Sequence, residues 1–235
     1  MKKNFVLILM SALLVFALAA CGQTASEPDA PQNGMEGAVS SATPDTQDDQ
    51  PAPKTSEDAA GKPTASKTLV AYFSRADENY DVGVVEKGNT EIIAEMIADE
   101  VGADTFRIQT VAAYPESYDE CTAIAKQERE QGARPELSST IANFDDYDEI
   151  YLGYPIWYGD MPMVVYTFLE SYNFAGKTII PFCTHGGSGL AGTVGSIQAA
   201  CSGAAVLDGL AIAGTTAQND PEDARDAVRM WLSPS

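Results

Sequence analysis

The segment TLVAYF, residues 68–73, decides the fold class, because it is a short and almost continuous apolar run of β-forming residues. A strand that is apolar at successive positions buries both of its faces, which is typical of a parallel sheet covered by helices on either side. In the following segment, residues 92–101, apolar residues recur with the spacing of one helix face. The two segments predict the first strand and helix of an α/β domain.

Strands and helices continue to alternate along the rest of the chain. Further strands are predicted at residues 104–109, 149–154, 177–184 and 204–213, and further helices at 117–130, 162–172, 193–201 and 220–232. The last helix has the clearest pattern, with Asp220 at its cap and Pro221 in its first turn. Pro181 removes one donor from the ladder of the fourth strand. The alternation predicts a doubly wound three-layer α/β sandwich around a five-stranded parallel sheet.

Residues 1–20 have the pattern of a secretory signal, since two lysines precede an apolar run of 16 residues, Phe5 to Ala20. The motif Leu-Ala-Ala-Cys at its end resembles the lipobox of bacterial lipoproteins, which implies cleavage before Cys21 and lipidation of that cysteine. Two alternatives stay open: ordinary cleavage near Ala19, which would leave a soluble secreted protein, and a retained membrane helix.

Residues 21–66 are dominated by Pro, Ser, Thr and acidic residues and hold few bulky hydrophobic ones. Such a segment buries too little apolar surface to offset its chain entropy, so we expect a disordered acidic tether. Residues 67–235 then form one domain of ordinary size. Together these patterns predict an extracytoplasmic domain that is held at the bacterial cell membrane by its lipid anchor alone.

Charge and cysteine content narrow the function further. The formal net charge of -20 argues against a nucleic-acid or anionic-lipid partner bound through a basic patch. Apart from Cys21, the chain has Cys121, Cys183 and Cys201, whose spacing fits neither a zinc site nor a disulfide framework. We expect them to be small core residues, with a Cys183–Cys201 bridge left open.

The loops at the carboxyl ends of the strands are where a doubly wound sheet binds its ligand. After the first strand come Ser74 and then Gly88, Asn89 and Thr90, which surround the start of the first predicted helix. Free backbone N–H groups and the helix dipole make such a position suitable for a phosphate. The same residue types are also ordinary helix caps, so this loop alone allows both interpretations.

The loop after the third strand lies in YPIWYGDMP, residues 154–162. It places two large rings between prolines, and its candidate ligand contacts are Pro155, Ile156, Trp157, Tyr158 and Gly159. A flat conjugated ligand would cover such rings by offset stacking. Alternatively, one ring packs on the core while the other faces water.

The loop after the fourth strand is rich in glycine, which lets a backbone approach a ligand closely. Its candidate contacts are Thr184, His185, Gly186, Gly187, Ser188 and Gly189. His185 is the one histidine of the chain, so we expect it to act by contact rather than in a catalytic triad or metal cluster.

A competing interpretation treats the same loop as a dinucleotide-binding fingerprint. Gly187, Gly189 and Gly192 satisfy G-x-G-x-x-G after a strand, and Asp208 follows about twenty residues later. However, this pattern falls near the end of the domain, whereas a dinucleotide-binding fold normally opens with it.

Four pieces in this order and spacing, LVAYFSR, GNTEIIAEMIA, YLGYPIWYGDMP and FCTHGGSG, resemble the flavodoxin superfamily, and in particular its bacterial lipoprotein branch. The resemblance implies strand order 2-1-3-4-5 and bound flavin mononucleotide (FMN). Ser74, Asn89 and Thr90 would hold the phosphate, residues 155–158 would line one side of the isoalloxazine, and residues 185–189 would close the other edge.

The sequence departs from the flavodoxin pattern in two places. Fourteen residues separate Ser74 from Asn89, where flavodoxins have a tight phosphate loop, so the extra segment forms a lid or carries partner contacts. The fourth-strand loop also lacks the second stacking aromatic residue, which would leave one face of the flavin open.

The function favoured by the resemblance is an electron carrier whose redox partner, a protein or a quinone, is unknown. Negative charge near the flavin, such as that of Asp160, would lower its potential by disfavouring the anionic reduced form. The alternatives are an NAD(P)H-dependent FMN or quinone reductase, and a surface-tethered module that has lost the cofactor.

Overall fold

The computed structural model describes residues 67–233. The strands of this part are β1 Thr68–Tyr72, β2 Asp77–Asn79, β3 Gly83–Val85, β4 Asp104–Arg107, β5 Glu149–Pro155, β6 Thr178–His185, β7 Ala205–Val206 and β8 Leu210–Ala213. Its helices are α1 Asn89–Val101, α2 Tyr118–Gln131, α3 Met163–Ser171, α4 Thr193–Ala200, α5 Gly214–Asn219 and α6 Pro221–Leu232. The predicted signal, the predicted tether and Cys21 lie outside the described residues.

The main sheet has the order β4-β1-β5-β6-β7, with β8 pairing the far end of β6, and all of its pairs are parallel. If β7 and β8 are counted as one interrupted strand and the five strands of the main sheet are numbered along the chain, their order across the sheet is 2-1-3-4-5. The predicted doubly wound architecture and strand order are therefore confirmed.

The fifth strand differs from the prediction, because the expected run of residues 204–213 is two short strands. β7 pairs with residues 178–179 of β6 and β8 with residues 182–185, so the break lies opposite Pro181. Proline offers no N–H to the ladder, and Gly209 passes so close that an added Cβ would lie 2.9 Å from the Pro181 carbonyl oxygen. The break between β7 and β8 thus lies at the position where β6 lacks a backbone N–H.

The core consists of two layers, one on each face of the sheet. Alternate residues of β1 point to opposite layers: Leu69 and Ala71 pack in one, and Val70 and Tyr72 in the other. The first layer includes buried residues of α3 and α4, and the second includes those of α1 and α6. In α6, Ala224 and Val228 are buried in the second layer, and Asp220 caps the helix by position and without a side-chain bond.

The prediction missed a 3₁₀ helix at Phe144–Asp146, the short helix α5 and the antiparallel hairpin β2–β3, hereafter the hairpin (residues 77–85). The hairpin occupies the extra segment between Ser74 and Asn89. Its strands have no buried residue, which explains why hydrophobic periodicity gives no sign of it. Over residues 67–233, none of the helices combines the length and the apolar character needed to cross a bilayer.

Cys121, Cys183 and Cys201 are buried free thiols, so the bridge left open between Cys183 and Cys201 does not form. Burial raises the pKa of Cys183 to about 12 and that of Cys201 to about 11. Both side chains therefore stay protonated at neutral pH and serve as small core residues, as expected.

Candidate functional site

A cavity of about 760 Å³ opens at the carboxyl edge of the sheet, which is within the size range of small-molecule sites. Eleven of the fifteen predicted contact residues border it: Asn89, Pro155, Ile156, Trp157, Tyr158, Gly159, Thr184, His185, Gly186, Gly187 and Ser188. Ser74 and Thr90 border a much smaller adjoining pocket of about 20 Å³, which also touches Asn89 and Trp157. Whether these residues contact a ligand stays a prediction.

Gly88 borders neither space, although it was predicted as a contact. It caps α1 and packs tightly, since an added Cβ would lie 2.3 Å from both the Ser74 hydroxyl oxygen and the Arg75 carbonyl oxygen. Because Gly88 has no side chain, the Ser74 hydroxyl can lie close to it and accept the N–H of Glu91 at 3.0 Å. Gly88 therefore serves the packing of the first turn of α1.

Thr90 is fully buried at the same helix start, and its hydroxyl lies 2.8 Å from that of Thr184 on β6. This bond joins the two loops predicted to hold opposite ends of a ligand. The loops after β1 and β6 are thus connected by a buried hydrogen bond.

Asn89 is positioned by α5, which the sequence does not connect with the site. Gln218 donates from its amide nitrogen to Asn89 Oδ1 and to the Lys87 carbonyl, both at 2.8 Å. Gly214 lies directly against the other side of this amide, where an added Cβ would lie 2.4 Å from Asn89 Nδ2. Gln218 and Gly214 thus hold the Asn89 amide in place, and Asn89 lies at the border of the cavity.

The loop after β5 is a tight turn closed by mutual backbone hydrogen bonds between Trp157 and Asp160, at 2.9 and 3.0 Å. Its two central residues both have positive φ, 51° at Tyr158 and 79° at Gly159, as in a type I′ turn. A non-glycine residue in this region is strained, and such strain concentrates at functional sites. The turn directs Tyr158 outward, where its hydroxyl donates to the Thr122 carbonyl at 3.1 Å.

Trp157 combines the two interpretations that the sequence left open. Its ring packs edge-to-face on Phe73 and Tyr114, with centroids 5.3 and 5.2 Å apart, and it also borders the cavity. Trp157 thus packs on neighbouring rings and borders the cavity as well, so neither interpretation alone describes it. Tyr114 in turn donates its hydroxyl to Glu128 at 2.7 Å, and burial raises the pKa of that carboxyl.

Asp160 does not border the cavity, and its role as an acidic neighbour of a ligand stays a prediction. Its carboxylate accepts the Met161 N–H at 2.8 Å and the Tyr166 hydroxyl at 2.9 Å. Asp81, at the tip of the hairpin, is instead the carboxylate residue at the border.

The glycine-rich loop after β6 fixes the state of its histidine. Nδ1 of His185 accepts the Gly187 N–H at 2.9 Å, and burial lowers the pKa of His185. The ring is therefore neutral at pH 7 and carries its proton on Nε2. Gly189 was predicted as a contact but does not border the cavity. Its carbonyl instead accepts a hydrogen bond from the buried Cys183 thiol, 3.4 Å away.

The dinucleotide fingerprint has no counterpart in the topology. Its glycines follow β6, the fourth strand of the sheet along the chain, and Asp208 lies exposed in the turn between β7 and β8. A dinucleotide fold places this element after its first strand.

Half of the cavity border was not anticipated from the sequence. These residues come from the hairpin and its base, from α2 and from the start of α5: Arg75, Asn79, Tyr80, Asp81, Tyr118, Cys121, Thr122, Ala125, Ala213, Gly214 and Thr215. For the four that lie between Ser74 and Asn89, the sequence signal is the length of that segment.

Arg75 joins the base of the hairpin to the segment that precedes α2. Its guanidinium donates to the Pro115 carbonyl at 2.7 and 3.1 Å, and also to the carbonyls of Glu116 and Glu78. The Glu78 carboxylate accepts the Tyr118 N–H at 2.9 Å. These bonds place the hairpin across the cavity from the turn of β5.

Comparison with known proteins agrees with this architecture. The family model described as flavodoxin matches residues 67–231. A structure described as a flavoprotein from Bacteroides eggerthii is 28% identical, covers 71% of this chain and 96% of its own, and has a TM-score of 0.58. The corresponding values for one from Bacteroides uniformis are 29%, 72%, 99% and 0.58.

A flavoprotein from Lactobacillus acidophilus, solved in complex with FMN, shares the fold at 22% identity. The match covers 65% of this chain and 95% of that one, with a TM-score of 0.50. No curated protein matches. Because the family model spans most of the chain, and the strand order agrees with it, this chain belongs to the flavodoxin family.

Proposed function

We propose that the domain binds FMN in the cavity at the carboxyl edge of the sheet and carries electrons between partners. The observation that carries this proposal is the convergence of three loops, after β1, β5 and β6, on one space of about 760 Å³. Membership of the flavodoxin family supports FMN as the ligand, and the Lactobacillus acidophilus flavoprotein was solved with FMN.

The residues at the two ends of the cavity fit the two ends of FMN. The first N–H groups of a helix have no partner within the helix, and at the start of α1 the Glu91 N–H donates to the Ser74 hydroxyl. The Asn89 amide and the Ser74 hydroxyl border the small pocket there, and such a helix start suits a phosphate. The Trp157 ring borders the main cavity as well as this small pocket, and a flat ring system can pack against it.

Bound FMN would supply the one- and two-electron redox chemistry, which no side chain of the protein can perform alone. The protein would bind and orient it, and would set its electrostatic surroundings. The neutral His185 would offer a hydrogen-bond donor at Nε2 without adding charge. Asp81 would be the negative charge that lowers the flavin potential, in the role first expected of Asp160.

Titration of the purified protein with FMN tests the proposal. We expect saturable quenching of flavin fluorescence and a shifted visible spectrum at one FMN per chain. Absence of both at high protein concentration would contradict FMN binding. Steady-state oxidation of NADH or NADPH by the loaded protein would instead favour the reductase alternative over the carrier.

We further propose that the domain is held outside the cell by a lipid on Cys21 and by the tether of residues 21–66. The support is the sequence pattern alone, since this part lies outside the described residues. Replacing Cys21 by alanine should move the protein from the membrane fraction to the medium or periplasm. An unchanged membrane fraction would argue for a retained helix.

A further inference from the structure

We infer that Tyr80 is a ligand-contacting residue that closes the flavin site as its second aromatic ring. This inference rests on the proposed FMN binding and extends it to a residue of the hairpin. In the sequence, the loop after β6 lacks a second stacking ring. In the structure, Tyr80 of the hairpin borders the same cavity as Trp157.

The position of Tyr80 is not explained by packing in the core. Neither strand of the hairpin has a buried residue, and Val84 next to its tip is 82% exposed. An isolated two-stranded hairpin is at best marginally stable in water. At its base the hairpin is held by polar contacts, which include those of Arg75 and a backbone bond from the Glu78 N–H to the Glu116 carbonyl at 3.2 Å.

The Tyr80 ring nevertheless has a defined place at the tip of this hairpin. An added Cβ at Gly186 would lie 2.7 Å from both Cδ1 and Cε1 of Tyr80, so the ring lies directly on the backbone of the glycine-rich loop. The Tyr118 ring lies beside it, with centroids 6.2 Å apart. The hairpin therefore reaches across the cavity and rests on the loop after β6.

Tyr80 remains 56% exposed in this position, although it is a large ring fixed at the border of a cavity. A bound flavin ring would cover this surface and gain aromatic contact with it. Trp157, by contrast, rests on Phe73 and Tyr114, so the two rings approach the cavity from separate supports.

The test compares three variants in titrations with FMN and with lumiflavin, which has the same ring system without the phosphate. Tyr80→Ala should raise the dissociation constants of both ligands by a similar factor, roughly tenfold, since it removes a ring contact. Tyr80→Phe should stay within about twofold of the wild type, because it keeps the ring. Val84→Ala is the matched control on the same hairpin and should also stay within about twofold.

A second measurement uses Gly186, where a methyl group would displace the Tyr80 ring. Gly186→Ala should weaken FMN binding in the wild type but have much less effect when Tyr80 is already alanine. If the effects of the two substitutions simply multiply, Gly186 acts on the ligand directly and not through Tyr80.

The outcomes separate this inference from the proposed function. If the wild type binds FMN and Tyr80→Ala binds both ligands equally well, Tyr80 is not a flavin contact. If Tyr80→Ala weakens FMN alone, the hairpin acts at the phosphate end, and the inference is wrong. If the wild type does not bind FMN at all, the proposed function fails and this inference fails with it.

Discussion

The cavity has two walls that are held in place by different forces. The β5 wall, residues 155–159, carries Trp157, whose ring packs on Phe73 and Tyr114 at the edge of the core. The hairpin wall, residues 77–85, carries Tyr80 and is fixed by hydrogen bonds at the surface, chiefly those of Arg75. One wall therefore shares the stability of the domain, while the other can open locally without unfolding it.

The comparison predicts that substitutions in the β5 wall affect folding and binding together, whereas those in the hairpin wall affect binding alone. Each of the following experiments tests one side of this difference.

The largest effect should come from Trp157→Ala. Loss of a partly buried ring with two aromatic neighbours should lower the free energy of unfolding by about 2–3 kcal/mol, somewhat less than for a fully buried tryptophan. FMN affinity should fall by ~1–3 kcal/mol as well. Chemical denaturation and FMN titration measure the two effects. Tyr80→Ala is the contrasting variant, and a comparable loss of stability there would remove the distinction between the walls.

Arg75→Met should detach the hairpin while leaving the core intact. It removes charge-assisted bonds to three carbonyls, a local loss of about 1–3 kcal/mol, but keeps the apolar stem of the side chain. Hydrogen exchange should become faster in residues 77–85 and stay unchanged in β1 and β5. Arg75→Lys is the control and should restore part of the protection, since lysine lacks the planar fork of donors. Uniformly faster exchange would show that the hairpin supports the whole domain.

Gln218→Ala tests the proposed phosphate contacts at the start of α1. Without the bond to Asn89 Oδ1, the Asn89 amide should lose its fixed direction, and FMN affinity should fall by about 1 kcal/mol. Riboflavin, which lacks the phosphate, should bind the variant as well as it binds the wild type. Asn219→Ala, at the exposed neighbouring position, is the control. Equal weakening of both ligands would place Gln218 near the ring system.

The smallest effect should be the pH dependence contributed by His185. Its pKa is lowered in the folded protein, so the unfolded chain binds the proton more readily, and stability decreases as the pH falls below about 6.5, the ordinary pKa of histidine. Above that pH the contribution is constant. Chemical denaturation of the wild type and of His185→Asn measures the free energy of unfolding between pH 8 and pH 5. This free energy should fall slightly more steeply with decreasing pH in the wild type. Identical slopes would contradict the neutral form of His185.

The β5 wall could be predicted from the sequence, because its signals are local. An apolar strand, two prolines, a glycine and adjacent rings all lie within residues 149–162. The edge-to-face support from Phe73 and Tyr114 could not be predicted, since it joins residues far apart in sequence.

The hairpin wall could not be predicted, because its strands are three residues long and polar or exposed throughout. Its stability comes from Arg75, whose partners lie about forty positions away. The bond from Gln218 to Asn89 spans an even longer separation. Hydrophobic periodicity reports only on buried faces, so surfaces held by polar contacts give no comparable signal.

The most direct test of the account is a crystal structure of the protein grown with saturating FMN. The account predicts one flavin per chain, with its ring system in contact with Trp157 and Tyr80 and its phosphate beside Asn89 at the start of α1. A cavity without flavin under these conditions, or a flavin ring bound outside it, would contradict the assignment of this cavity as the flavin site.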